Sequence, residues 1–188
     1  AHAAGVDRFV FLGSSCIYPR DCAQPIKEEY LLTGPLEQTN SAYAVAKIAG
    51  IELIKSYRKE YQHRWISLMP TNLYGPRDNF DLQHAHVLPA LIRRFVEAKQ
   101  KGIDTVTLWG TGSPRREFLH VDDLARAVVM ASEKYDGNEH INIGTGEDLT
   151  IKELAELIAR LAGYSGSIAW DSSKPDGTPR NNLDVTKA

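Results

Sequence analysis

Tyr43 and Lys47 are the residues of this 188-residue sequence whose types and spacing most directly suggest chemistry. They stand four positions apart at the start of a helical pattern, so their side chains project from one helix face. A free tyrosine is a poor acid-base group at neutral pH, but an ammonium one turn away favours its phenolate. The pair could therefore move a proton to or from a substrate oxygen. The spacing alone is common on helix surfaces, so its meaning depends on the residues around it.

Small polar side chains follow a strand-like run upstream of this pair. Ser14 and Cys16 come directly after the apolar residues 9–12. Ligands of open α/β folds bind at the carboxyl ends of parallel strands, where a serine hydroxyl could hold a substrate oxygen against Tyr43. Cys16 has an ordinary alternative, because a free cysteine is most often a buried thiol.

The elements that must position these residues follow from the periodicity of the chain. Strand-like runs alternate with amphipathic helical patterns, which favours a parallel sheet covered by helices. We predict strands at residues 9–12, 65–69, 105–109, 140–143 and 167–170, helices at 41–61 and from about 87, 122 and 151, and loops at 19–40 and 70–85. Thr150 and Glu153 form a capping-box pattern at the start of the last helix.

Composition excludes several functional classes. The net charge of −2 comes from intermixed acids and bases, so we expect no nucleic-acid partner. We find no apolar run long enough to span a membrane and no signal segment, and we therefore expect a cytoplasmic protein. Two cysteines are too few for a disulfide framework or a zinc site, so we expect no metal.

Several motifs in register carry a resemblance to a known family. Ser14, Tyr43 and Lys47, in this order and spacing, resemble the catalytic triad of the extended short-chain dehydrogenase/reductases. Longer matches are GSSCIYP at 13–19, MPTNLYGP at 69–76 with DNF at 78–80, HVLPA at 86–90, REFLHVDD at 116–123 and KPDGTPR at 174–180. They narrow the resemblance to members of the family that act on sugar nucleotides.

The resemblance implies an α/β fold: the second half of a Rossmann-like doubly wound parallel sheet with a small interleaved substrate-binding lobe. Residues 1–78 would belong to the nucleotide-binding domain and carry the catalytic Ser, Tyr and Lys. Residues 79–188 would mainly form the lobe, with segments near 116–146 returning to the Rossmann domain. Gly144-Thr-Gly146 is not the Rossmann fingerprint, because Leu149 stands where the third glycine belongs and no helix starts inside the motif. We expect the true fingerprint upstream of Ala1, so the chain would be a fragment that is inactive by itself.

The resemblance also implies an activity. Enzymes with these motifs epimerise carbons 3 and 5 of GDP-4-keto-6-deoxy-D-mannose and reduce its ketone with NADP(H). Inversion beside a ketone needs one group to remove a proton and another to return it on the opposite face. Cys16 and His86 match the family's pair for this task, with the cysteine as the usual base and the histidine as the acid. After epimerisation, Tyr43 would donate the proton to the ketone oxygen.

Further site residues are carried over from the family. The expected cofactor contacts are Tyr43, Lys47, Pro70, Asn72, Leu73 and His86. The expected substrate contacts are Ser14, Arg94, Trp109, Arg116, Asp176 and Arg180. The family often has a lysine where Asn181 stands here, which removes that contact. The family is typically dimeric through helices of the nucleotide domain, so we expect a homodimer for the full-length protein.

Two other functions are compatible with these motifs. The chain could belong to another sugar-nucleotide epimerase or dehydratase, but dehydratases of this fold commonly carry an acidic pair beside the catalytic Ser or Thr, which residues 14–16 lack. It could also be an inactive, nucleotide-binding relative. The joint presence of Ser14, Cys16, Tyr43, Lys47 and His86 argues against that alternative.

Overall fold

The computed structural model describes residues 1–188, which form a mixed α/β structure. The strands are β1 (Val10–Leu12), β2 (Ile66–Pro70), β3 (Asn72–Tyr74), β4 (Thr105–Trp109), β5 (Arg115–His120), β6 (Ile141–Ile143), β7 (Asp148–Thr150), β8 (Ser167–Asp171) and β9 (Arg180–Asn181). The α-helices are α1 (Ser41–Tyr61), α2 (Val87–Lys101), α3 (Val121–Lys134) and α4 (Ile151–Ala162). None of them combines the length and the apolar character that a membrane span requires.

The chain divides into two compact units, each of which uses separated stretches of sequence. Unit 1 comprises Ala1–Leu73, Glu117–Glu147 and Asn181–Ala188, and unit 2 comprises Tyr74–Arg116 and Asp148–Arg180. The assignment of nucleotide binding to one part of the chain and substrate binding to the other stays a prediction.

Unit 1 is built on a parallel sheet in the order β1-β2-β6. Every residue of β2 is buried, as expected for a central parallel strand that is covered on both faces. Successive side chains of a strand point to opposite faces. Met69 packs into a core cluster with Ile48 and Ile51 of α1. Ile66 and Leu68 pack into a second cluster with Leu124 and Ala131 of α3. The sheet therefore carries one helix on each face, which confirms the predicted doubly wound class.

Unit 2 contains a parallel pair, β4 and β8, with Val106 paired to Ile168 in register. Helices α2 and α4 pack against each other, and the ring centroids of Phe95 and Tyr164 lie 5.4 Å apart. The predicted capping box is confirmed: Thr150 Oγ1 accepts from the Glu153 amide, and the Glu153 carboxylate accepts from the Thr150 amide. Gly102 and Gly163 end the two helices with positive φ, a conformation that glycine adopts without strain.

The long helices and the five predicted strands are confirmed within about two residues, and α1 has the predicted bounds. One loop interpretation was wrong, because the segment 70–85 contains β3. Strand β5, at the start of the REFLHVDD segment, was not predicted. In β5 the buried positions are Glu117 and Leu119. Because one of them is a charged residue, the sequence of β5 does not show the alternation of apolar and polar residues that would indicate a strand.

Candidate active site

Helix α1 holds Tyr43 and Lys47 beside the carboxyl end of β1. Lys47 Nζ donates to the carbonyl oxygen of Leu12 at 2.9 Å and lies 5.6 Å from the centroid of the Tyr43 ring. The close approach of helix to strand depends on Gly50, where a Cβ atom would lie 2.2 Å from Cζ of Phe11. Tyr43 itself is 48% exposed, so its hydroxyl is accessible to a substrate.

A 3-10 turn, Ser15–Ile17, carries the residues that follow β1. Ser14 is its N-cap, and its Oγ accepts from the Cys16 amide at 3.3 Å. Ile17 is fully buried in the cluster that contains Ile48 of α1, which fastens the turn to that helix. Ser14 and Cys16 remain half-buried. Unit 1 thus brings Ser14, Cys16, Tyr43 and Lys47 to the end of β1, the edge at which α/β folds bind ligands.

The expected cofactor residues of the next segment lie at the end of β2, beside β1. Pro70 is buried and pairs with Ile143 of β6. Asn72 Nδ2 donates to the backbone oxygen of Glu117 at 2.9 Å, and Leu73 packs on the core cluster beneath α3. Parallel strands end at one edge, so these residues share the edge of the sheet that carries Ser14.

The Gly144–Gly146 turn has a structural role in unit 1. The amides of Thr145 and Gly146 donate to Oε1 of Glu117 at 2.5 and 2.9 Å, and the Leu183 amide donates to Oε2 at 2.8 Å. Glu117 is fully buried, and a Cβ atom at Gly144 would lie 2.1 Å from its carboxylate. The amides of this turn therefore bind the carboxylate of Glu117. This contact explains why glycines stand at these positions, although the motif is not a dinucleotide fingerprint.

Helix α2 of unit 2 carries His86 and Arg94. His86 is the N-cap residue, but its side chain accepts no capping hydrogen bond and is exposed to solvent. Arg94 Nη1 reaches the backbone oxygen of Thr107 at 3.5 Å. The neighbouring Arg93 is held more firmly, because its guanidinium contacts the Glu97 carboxylate at 2.6 Å and the Phe80 carbonyl oxygen at 3.0 Å. Because the His86 side chain is exposed and caps no helix amide, its imidazole is accessible to a ligand.

A cavity of about 210 Å³ in unit 2 brings together three of the expected substrate residues. Its lining comprises Val87, Trp109, Gly112, Pro114, Arg116, Ile151, Pro175, Asp176 and Gly177. Trp109 is 68% exposed, and the Lys174 ammonium lies 5.7 Å from its ring centroid. Burial lowers the pKa of Arg116, whose Nη1 donates to the Thr178 carbonyl oxygen at 2.6 Å. An exposed indole beside cationic groups suits a planar base that carries phosphates.

Arg180 and Arg94 do not line this cavity. The Arg180 guanidinium instead pairs with Asp148, which also accepts from Arg115 Nε at 2.7 Å. Burial acts to raise the pKa of Asp148, but the hydrogen bonds from the two arginines outweigh it, so the pKa is lowered. Arg180 therefore has a partner within the chain.

Comparison with known proteins places these elements in a family. A model of the NAD dependent epimerase/dehydratase family matches residues 1–144. The chain belongs to this family.

Among members of the epimerase/dehydratase family, GDP-L-fucose synthase 1 of Arabidopsis thaliana is 58% identical over 189 residues, covering 100% of this chain and 58% of that protein. GDP-L-fucose synthase of Escherichia coli strain K12 is 53% identical over 196 residues, covering 100% of this chain and 61% of that protein. A GDP-L-fucose synthetase from Naegleria fowleri bound to NADP has a similar structure, with a TM-score of 0.93, 32% identity and coverage of 99% of this chain and 60% of that one. The chain thus spans less than two thirds of these relatives.

Sequence reasoning missed some residues that shape these sites in the epimerase/dehydratase chain. Thr111 contacts Asp176, and Glu117 holds the Gly144–Gly146 turn. Asp148 joins Arg115 and Arg180. The position of Glu117 inside the REFLHVDD motif was a usable signal. No local pattern connects Thr111 with Asp176.

Proposed function

We propose that this chain carries the catalytic centre of a GDP-L-fucose synthase, which uses NADPH to convert GDP-4-keto-6-deoxy-D-mannose to GDP-L-fucose. The observation that carries the proposal is the identity of 53% to 58%, over the whole chain, to enzymes of that name. The grouping of Ser14, Cys16, Tyr43 and Lys47 at the end of β1 supports it, because this is the group of residues that the chemistry requires.

Epimerisation is assigned to Cys16 and His86. Carbons 3 and 5 both lie next to the ketone at carbon 4, so removal of a proton from either leaves an anion that is delocalised onto oxygen. A thiolate at Cys16 takes the proton, and the imidazole of His86 returns one on the opposite face. The half-buried position of Cys16 and the uncapped, exposed side chain of His86 support these roles.

Reduction of the ketone is assigned to Tyr43, with Ser14 and Lys47 in support. The Tyr43 hydroxyl donates a proton to the carbon-4 oxygen while the Ser14 hydroxyl holds that oxygen in place. NADPH, when bound, supplies the reducing equivalents. The residues present fit such a cofactor, because an ammonium has three donors and the bond to Leu12 uses one, which leaves Lys47 able to bind ribose hydroxyls. Pro70, Asn72 and Leu73 would contact the nicotinamide end from the same sheet edge.

The cavity of unit 2 is proposed to hold the GDP part of the substrate. The Trp109 indole offers a face for the guanine, and Arg116 offers a cation for the diphosphate. Arg94 and Arg180 are further candidates for phosphate contacts from outside this cavity.

We also propose a cytoplasmic homodimer. Support for the dimer comes from α1, on which Val45 and Leu53 are 56% and 55% exposed and lie eight positions apart on one face. Exposed apolar side chains in a row favour a partner helix.

The function is tested with the full-length protein, NADPH and GDP-4-keto-6-deoxy-D-mannose, with the sugar product identified by NMR. GDP-L-fucose is expected. GDP-mannose, which has no ketone, is the matched control and should leave NADPH unconsumed. A product reduced at carbon 4 with carbons 3 and 5 unchanged would contradict the proposal and indicate a plain 4-reductase.

A further inference from the structure

The short turn that carries Cys16 has long hydrogen bonds of its own. It begins after the N-cap Ser14 and ends at the C-cap Tyr18. The Ile17 amide donates to the Ser14 carbonyl oxygen at 3.3 Å, and the Tyr18 amide donates to the Ser15 carbonyl oxygen at 3.4 Å. Both distances exceed the usual value of about 2.9–3.0 Å for such bonds. Contacts with the rest of unit 1 must therefore fix where Cys16 lies.

The N-terminal end of the turn is held to the sheet through the backbone. The Gly13 amide donates to the Leu68 carbonyl oxygen at 2.8 Å, which extends the pairing of β1 with β2. The Lys47 ammonium binds the Leu12 carbonyl oxygen on the same strand. Ser14 follows these contacts directly, so its position depends little on how the other end of the turn is held.

The C-terminal end of the turn is held through a buried side chain, Tyr18. This residue is 4% exposed, and its hydroxyl donates to Oδ1 of Asn142 in β6 at 2.5 Å. Its ring centroid lies 6.1 Å from that of His140. Burial, reinforced by the negative charge of Glu28, raises the pKa of Tyr18. The phenol therefore stays protonated at neutral pH and remains a hydrogen-bond donor.

Asn142 offers this phenol an acceptor whose orientation is fixed. It is fully buried, and both hydrogens of its side-chain amide are used, because Nδ2 donates to the Ile26 carbonyl oxygen at 2.9 Å and to that of Asp184 at 3.1 Å. Oδ1 is therefore the atom that faces Tyr18. The backbone amide of Asn142 also donates to Oε1 of the buried Glu28 at 3.0 Å. A hydroxyl bonded to such an oxygen is fixed as well.

The other contacts near this end constrain the turn less directly. Ile17 is buried in the core cluster, but apolar packing has no preferred direction. The Arg20 amide donates to the Pro35 carbonyl oxygen at 3.0 Å, and the Arg20 guanidinium lies 3.3 Å from the Glu37 carboxylate. These contacts of Arg20 stand four positions after Cys16, whereas the buried phenol stands two positions after it.

We propose that Tyr18 is a positioning residue which, through its hydrogen bond to Asn142, sets the position of the Cys16 thiol at the end of β1. The proposal rests on the proposed role of Cys16 as the base for epimerisation. Proton transfer requires hydrogen-bond distance, and a misplacement of about 1 Å can cost about 100-fold in rate. Loss of the phenol hydroxyl should therefore slow exchange at carbons 3 and 5 more than it weakens binding of the GDP-sugar or NADPH.

The test measures solvent deuterium uptake at carbons 3 and 5 with the full-length enzyme and its Tyr18→Phe variant. Exchange should slow about 5- to 100-fold, from the loss of one hydrogen bond to that of a 1 Å displacement, with KM for the GDP-sugar and for NADPH changing much less. Replacement of Tyr18 by 4-aminophenylalanine restores a donor to Asn142 and should recover much of the rate. Tyr135→Phe is the control: it removes a hydroxyl that donates to the Glu139 carbonyl oxygen in the same unit, and it should match the wild type.

The Cys16→Ser background separates positioning of the thiol from general structural damage. If Tyr18 acts through Cys16, Tyr18→Phe should slow the residual exchange of Cys16→Ser by less than about twofold, because both changes affect one route. An equal further loss in the two backgrounds would overturn the proposal. Exchange at the wild-type rate in Tyr18→Phe, with exchange lost in Cys16→Ser, would also overturn it.

Alkylation of Cys16 by iodoacetamide, followed by mass spectrometry, provides a readout that needs no substrate. Tyr18→Phe should speed alkylation of Cys16, because the released turn exposes the thiol. Alkylation of Cys22, which packs against the core from the next loop, should change much less. An unchanged rate at Cys16 would overturn the proposal. Wild-type exchange in Cys16→Ser would instead contradict the proposed function, and the alkylation rate would then still decide whether Tyr18 positions the thiol.

Discussion

At the scale of single residues, the candidate site depends on how Lys47 is held. Its ammonium is fixed by the Leu12 carbonyl oxygen and lies 5.4 Å from the ring centroid of Phe11 and 5.6 Å from that of Tyr43. The Tyr43 side chain is 48% exposed beside this fixed charge. Its hydroxyl is therefore accessible to a substrate oxygen, which the proposed proton transfer to the ketone requires.

Tyr43→Phe removes the proton donor and keeps the ring. In the full-length enzyme it should slow reduction of the 4-ketone about 100-fold to 10,000-fold, the usual contribution of a general acid. Solvent deuterium uptake at carbons 3 and 5 should remain measurable, because that step is proposed to use Cys16 and His86 instead. Tyr61→Phe, an exposed tyrosine on the same helix, is the control. Equal loss of exchange and reduction in Tyr43→Phe would show that the two steps share one acid.

Trp109→Ala tests the cavity proposed to bind the nucleotide. Because the Trp109 side chain is largely exposed, its removal should not disturb folding. Stacking of a base on an aromatic side chain contributes about 1 to 3 kcal/mol, so KM for the GDP-sugar should rise about 5- to 150-fold. KM for NADPH should stay near the wild-type value in steady-state kinetics. Leu161→Ala removes another exposed apolar side chain of unit 2, at 75% exposure, and should have no effect. A rise in KM for NADPH alone would assign Trp109 to the cofactor.

At the scale of secondary structure, the spacing between α1 and β1 positions the candidate catalytic residues. Gly50 lets the helix lie against Phe11, and this approach brings Lys47, three positions earlier, within reach of the Leu12 carbonyl oxygen. A glycine in the interior of a helix is unfavourable by roughly 0.5–1 kcal/mol relative to alanine. The close packing of helix on strand explains why it stands here.

Gly50→Ala should therefore destabilise the protein, although alanine has the higher helix propensity. The added methyl group would overlap the Phe11 ring, and overpacking typically costs about 1–3 kcal/mol in the free energy of unfolding. Chemical denaturation measures this loss, and reductase activity should fall with it as Lys47 moves. Phe11→Leu makes room and should restore part of the stability in the double variant. An unchanged or raised stability in Gly50→Ala would show that the helix does not need this approach.

His140, directly before β6, makes unit 1 sensitive to mild acid. It is 2% exposed, and neither ring nitrogen has a hydrogen-bond partner. Burial, reinforced by the charge of Lys55, lowers its pKa from 6.5, against the opposing effect of Glu28 and Glu139. Below pH 6.5, His140 therefore binds a proton more readily in the unfolded chain than in the folded chain. The stability associated with neutral His140 is fully present above pH 6.5 and is lost as the pH falls from there towards the folded pKa.

Thermal unfolding followed between pH 8 and pH 5, about 1.5 units on either side of an ordinary histidine pKa, should show this loss. His140→Leu should flatten the profile in this range, because it removes the group that takes up the proton. His84→Gln, at an exposed histidine, should leave the profile unchanged. A His140→Leu profile as steep as that of the wild type would contradict the assignment.

At this scale the sequence predicts elements that have a clear period. Helix α2 presents Leu88, Leu91 and Phe95 to the core, and β2, which is apolar except for Ser67, is buried on both faces. Strands β3, β7 and β9 are two or three residues long and contain at most one aliphatic residue each, whereas the equally short β1 and β6 contain two each. Strand β5 was missed because one of its buried positions is a glutamate, Glu117. The burial of this carboxylate is explained by its hydrogen bonds to the amides of Thr145, Gly146 and Leu183, which are distant in sequence.

At the scale of the whole molecule, each unit is assembled from stretches far apart in sequence. The grouping of Ser14, Tyr43 and Lys47 in unit 1 could be predicted, because Tyr43 and Lys47 are four positions apart and Ser14 follows a recognisable strand. The cavity of unit 2 could be predicted only through family resemblance, since Trp109 and Asp176 belong to separate segments. The contact between Asp176 and Thr111 depends on the folded arrangement of those segments, which no spacing in the chain reveals.

Epimerisation together with reduction is the activity proposed for this protein, and Cys16 with His86 is the pair assigned to epimerisation. The most direct measurement is solvent deuterium uptake at carbons 3 and 5 of GDP-4-keto-6-deoxy-D-mannose, with the full-length enzyme and its Cys16→Ser and His86→Asn variants in heavy water. Serine is a far weaker acid than cysteine and rarely supplies the anion that a base needs. Both variants should therefore lose about 100-fold to 10,000-fold in exchange rate while still binding NADPH. Exchange at the wild-type rate in both variants would contradict the claim.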